Sequence, residues 1–128
     1  MTEAANKLIA ADMEAKALMD KHPNPMLMPL EELQETVTTF KTKAFAISLD
    51  GCTAEFKEAF VAWKLALLEE GEFIVEMLEN LKNTGASTPP MEAMAEGQQR
   101  SQQVNYTGTR FRAICQQFGL GIQFPTEK

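Results

Sequence analysis

The chain predicts an all-α protein, an antiparallel four-helix bundle with an extended C-terminal tail. Three observations predict it. Apolar residues recur at steps of three and four along four separate stretches, the spacing that puts side chains on one face of a helix. Turn-forming residues gather between those stretches. Strict alternation of apolar and polar residues occurs only at the C-terminal end, where a lone strand would have nothing to pair with. With 128 residues and 45% apolar content, the chain has the length of a single domain, expected over 1–128, and enough apolar surface for a packed core.

The first helix is expected over residues 2–21. Thr2 stands where it can cap the helix, and Glu3 places a negative charge in the first turn, where it suits the helix dipole. Ala5, Leu8, Ile9, Asp12, Ala15, Leu18 and Met19 form its stripe, with one polar gap at Asp12. His22-Pro23-Asn24-Pro25 stops it, because each proline drives its predecessor out of the α region. Met26, Leu27 and Met28 follow as an apolar run inside a loop. Loops are normally polar, so this run must lie on something. Two roles are open to it: cover for the far end of the third helix, or an adaptable methionine-rich partner surface.

The second helix is expected over 30–49, with Pro29 at its start, Glu31 and Glu32 in its first turn, and a stripe of Leu30, Leu33, Val37, Phe40, Ala44 and Ile47. Asp50-Gly51 is a turn signal, and Thr53 can cap a third helix over 53–83. That helix carries Phe56, Phe60, Trp63, Leu67, Glu70, Ile74, Met77 and Leu81 on one face. Two such helices on a short connector fold back and zip their stripes, so they are expected to form the central hairpin. The second helix is the shorter, about 30 Å against about 46 Å at 1.5 Å per residue. It should run out near residue 73, leaving Ile74, Met77 and Leu81 for Met26–Met28 to cover. Gly71 reads as a soft point, and Gly85 as a left-handed cap.

A Pro-Pro linker at 86–90 precedes the fourth helix, expected over 91–118. Its first half, Glu96 to Gln103, is almost without apolar residues; its second half carries Val104, Thr107, Phe111, Ile114 and Phe118. Fraying is expected near 91–102, with Gly108 a candidate break and Gly119 a cap. Leu120, Ile122 and Phe124 alternate with polar residues in the tail. They either lie in a groove of their own bundle or add to another chain.

The net charge of -6, from 18 acidic and 12 basic residues, has the wrong sign for a nucleic-acid binder or for electrostatic attachment to an anionic membrane. No apolar run is long enough to span a membrane. The opening residues lack the layout of a secretory signal, which points to the cytoplasm. A leader removed upstream, or a bridge between Cys52 and Cys115, would place the protein outside it. Such a bridge is geometrically open, because the start of the third helix and the end of an antiparallel fourth helix lie at one end of a bundle.

The only histidine, His22, sits in a loop; no Glu-x-x-His pair and no closely spaced cysteine pair exist. No metal or cofactor is therefore expected, and no catalytic residue stands out, since a hydrolytic triad needs a nucleophile beside a base. Glu70 breaks its stripe: if buried it needs a partner, and Arg100 is the candidate. Asp12 is a second carboxylate of the same kind.

Two functions follow. The leading one is a non-enzymatic protein-interaction module (adaptor, chaperone-like or regulatory subunit), with a protein partner or a second copy docking on Met26, Leu27, Met28, Leu120, Ile122 and Phe124. The alternative is a small-ligand bundle with a pocket between the third and fourth helices, lined by Trp63, Glu70, Arg100 and Phe111.

Overall fold

Four helices make up the protein in a computed structural model that describes residues 1–22, 28–85 and 88–122. They are α1 (Thr2–Met19), α2 (Leu30–Phe45), α3 (Ala54–Thr84) and α4 (Met91–Gln117), with no strand among the described residues. Side-chain pairs fix their directions. Along α3 and α4, Glu58 meets Arg110, Glu69 meets Arg100, Glu70 meets Ser101, and Phe73 lies against Gly97. One number rises as the other falls, so α4 runs antiparallel to α3. Val37 against Gly71 and Phe45 beside Lys64 give the same sense for α2 and α3. Glu32 with His22 and Glu14 with Lys43 give it for α1 and α2. Each helix therefore runs antiparallel to the one that follows it.

The main core gathers at one end. Phe56, Phe60 and Phe111 are fully buried, with ring centroids 5.4 to 6.0 Å apart. Ala4, Ala5, Leu8 and Ile9 of α1, Phe40 and Ala44 of α2, and Cys115 of α4 close around them. Each buried large side chain contributes about 1.5–3 kcal/mol, so these three rings together are a substantial part of the stability of the bundle. A smaller core at the other end joins Met28, Leu33 and Leu78, with Ile74 and Val75 packed against it. Met28, 1% exposed, thus lies in the protein's own interior and packs with Ile74, one of the three residues expected to need cover, while Met77 lines a groove against α4. Met26 and Leu27 fall outside the described residues.

Several boundaries differ from expectation. α1 ends at Met19, and Met1, with no side-chain cap, takes the place given to Thr2. α2 stops at Phe45 rather than 49. Ile47 and Leu49, freed from the helix, pack inward on the main core from the connector, and Cys52 N–H closes a turn onto Leu49 C=O at 3.1 Å. This longer connector, residues 46–53, lets α2 sit further up α3, so Leu33 shares a core with Leu78 instead of running out near 73. The closest pairing is α3 with α4, not α2 with α3. α4 is unbroken through Gly97 and Gly108. Thr53 caps α3 by accepting from Phe56 N–H at 3.2 Å, and Gly85 holds the left-handed cap.

The end of α4 settles the start of the tail. Gly119, at φ 63°, donates to Gln116 C=O, and Leu120 N–H reaches back to Cys115 C=O at 3.1 Å, the paired bonds of a Schellman cap. The cap turns Leu120 and Ile122 back onto the main core, where both are half-buried. Phe124 lies outside the described residues.

Candidate functional site

The helices pack as neighbours in chain order, and α1 touches α3 only sparingly. α1 therefore leans on α2, and a space opens between α1, α2 and the middle of α3. It has a volume of about 310 Å³, at the small end of ligand-binding cavities. Its apolar wall comes from Ala15 and Met19 of α1, Val37 and Phe40 of α2, and Leu67, Leu68 and Ile74 of α3. Gly71 also lines it: an added Cβ there would stand 3.2 Å from Val37 Cγ2, so the glycine lets α2 cross α3 closely beside the cavity. The position read as a soft point is a crossing point.

The polar lining is Asp12, Lys16, Asp20, His22, Thr36 and Glu70. Asp12 is the unusual member. It occupies the apolar stripe of α1 and is 6% exposed. Burial pushes its carboxyl above the ordinary carboxylate value, and the charge and hydrogen bond of Lys16 only partly oppose this. Lys16 Nζ meets Asp12 Oδ2 at 3.0 Å, one turn along the helix, while its own side chain is 57% exposed. Thr36, equally buried, donates its hydroxyl to Glu32 C=O at 2.8 Å and so faces the cavity satisfied. His22 Nε2 lies 3.1 Å from Glu32 Oε1, tying the end of α1 to the start of α2 at the cavity's edge.

The pocket expected between the third and fourth helices is not formed by the residues named for it. Trp63 and Phe111 stack at 5.3 Å and 24°, filling the interface, and Trp63 Nε1 presses to within 3.0 Å of where a Cβ on Gly108 would be. Glu70 is half-buried, not buried, and accepts a 2.8 Å hydrogen bond from Ser101 Oγ. Arg100 reaches Glu69 instead, at 3.1 Å. The stripe drifts around so long a helix, and Glu70 emerges at its edge. A groove between α3 and α4 does exist further along, lined by Phe73, Ile74, Met77, Ala93 and Met94, with Glu70 alone of the expected four.

Cys52 and Cys115 are both free thiols. Cys115 is in the main core, where burial pushes its thiol up to about 11; Cys52 packs at the same core's edge. Among the described residues no helix is long and apolar enough to cross a membrane. Sequence reasoning found Asp12 as a gap in a stripe but had no means to see the cavity, which depends on how α1 tilts against α3. No family model matches the chain, and neither does any curated protein or solved structure.

Proposed function

We propose that this protein is a non-enzymatic helical binding module whose site is the cavity between α1, α2 and α3, taking a small, largely apolar ligand. One observation carries the reading: a carboxylate as buried as Asp12 lines a cavity whose wall is otherwise mostly apolar. A few fixed polar groups in an apolar concavity are the usual make-up of a small-ligand site. An apolar cavity of about 150 Å³ already holds benzene, so one of about 310 Å³ suits a substituted ring or a short chain.

The test is a ligand-observed NMR screen of one- and two-ring aromatics and short-chain amphiphiles against the full chain. Ala15→Leu, which projects a larger side chain into the cavity, is the control. Binding to the native protein that disappears in Ala15→Leu, with the fold retained, supports the reading. No binder at millimolar concentration, or binding that Ala15→Leu leaves untouched, refutes it.

A second reading, the protein-interaction module, draws on α4. Met91 is 86% exposed and Met94, three residues on along the same helix, 57%, so two large apolar side chains stand together at the start of α4. Met28, Leu120 and Ile122 no longer support it, since they pack on the protein's own cores. Light scattering after size exclusion tests for a second copy, with Met91→Ser/Met94→Ser expected to dissolve any dimer.

A further inference from the structure

The charges around the cavity select among ligands, and this deepens the binding reading rather than standing apart from it. Three acidic residues line the space, Asp12, Asp20 and Glu70, against one ammonium, Lys16, though the Glu70 carboxylate is engaged by Ser101 of α4. The remaining titratable group, His22, is held by Glu32, itself an acid. Asp12 is the deepest of the three acids, and a buried anion gains most from a partner that shares its dry surroundings. Lys16 is a poor partner in that respect. Over half of its side chain lies in water while the carboxylate is buried, so water competes for the ammonium and the pair compensates Asp12 only in part.

Lys16 Nζ meets Asp12 at Oδ2. A carboxylate accepts at both oxygens, so a second donor does not have to displace the lysine. A ligand ammonium in the cavity would be shielded from water by its own apolar body, and would add a charge-assisted hydrogen bond drier than the one from the half-exposed Lys16. An anionic ligand would meet the buried Asp12 carboxylate, with only the half-exposed ammonium of Lys16 to offset it.

We infer that the cavity takes a cationic amphiphile, a primary or secondary amine on a compact apolar body, with its ammonium on Asp12 and its body against Val37, Phe40 and Leu67.

Three matched probes test this by calorimetry at pH 7: 2-phenylethylamine, 2-phenylethanol and phenylacetate, each with the native protein and with Asp12→Asn. The amine should bind about tenfold tighter than the alcohol, the difference that a hydrogen bond to a charged group makes. Phenylacetate should bind weakest. In Asp12→Asn, checked for a native melting transition, the amine should lose its advantage over the alcohol. If amine and alcohol bind alike to the native protein, the inference about charge falls and the cavity reading stands. If the amine keeps its advantage in Asp12→Asn, the placement of the ammonium is wrong. If none of the three binds, both readings fall. The first comparison needs only the native chain, so an Asp12 variant that does not fold leaves the inference open to refutation.

Discussion

Asp12 states a cost in the folded chain. Its carboxyl is held above the ordinary value by burial, so the native state binds this proton more tightly than the unfolded chain does. Between the unfolded and folded values the native state therefore carries more protons, and stability falls as pH rises through that window. Above the folded value the full penalty of a buried charge applies; below the unfolded value it is gone. Asp12→Asn removes the charge and keeps the shape, and it gives up only an ion pair whose lysine is mostly in water. The variant should be more stable than the native protein at pH 7 by urea unfolding, with the gap closing as pH drops through the acid range. A variant less stable at pH 7 would mean that Lys16 contributes more than burial takes away. The cysteines make a second expectation at this scale. The denatured, unreduced chain should titrate as two thiols, since both are free. In the native protein at pH 8, Cys115, buried and with its thiol raised to about 11, should react with a disulfide reagent only as fast as the protein opens, well behind Cys52.

Between elements, the α3–α4 contact turns on residues that a hydrophobic stripe does not show. Gly108 was legible as a break, because glycine disfavours helix; its role is to admit Trp63, which no periodicity reveals. Gly108→Ala would gain helix propensity, yet its Cβ would stand 3.0 Å from Trp63 Nε1 while Phe111 is stacked with the indole. The ring has little room to yield, and the substitution should cost about 1–3 kcal/mol in denaturant unfolding, as overpacking does. Gly97→Ala is the contrast. Its neighbour is the edge of Phe73, a half-buried ring that can tilt, so about 0.5 kcal/mol of gain or no change is expected. The same divide separates what the chain spelled out from what it did not. Four stripes, the Thr53 and Gly85 caps and the antiparallel order follow from spacing and turn chemistry that act within a few residues. The end of α2 did not, because Ile47 and Leu49 gain more by packing as connector residues on the core than by adding a turn. Nor did the cavity, because a void is set by the distance between helices, and Asp12 alone hinted at it.

At the scale of the whole molecule the bundle is unequal from end to end. One end joins all four helices through Phe56, Phe60 and Phe111. At the other, α1 has already stopped at Met19, and α3 continues to Thr84 with Met28, Leu33 and Leu78 as its smaller core and with grooves on two sides. Opening free energy should therefore be graded along the long helices. Amides in α4 from Met94 to Ser101, along the α3–α4 groove, should exchange by local opening, while those near Phe60 and Phe111 should exchange only on global unfolding. Phe111→Ala takes out the ring that touches Phe56, Phe60 and Trp63 together. It should cost about 3–5 kcal/mol, a large share of the stability of a domain this size, and it should lower protection at both ends. Leu78→Ala should lower protection chiefly at the grooved end and leave the amides around Phe60 close to their native values. Equal loss at both ends in Leu78→Ala would show that the two cores open as one unit. The cavity would then lie in a rigid wall, instead of at the border between a firm half and a yielding one, where a ligand has room to enter.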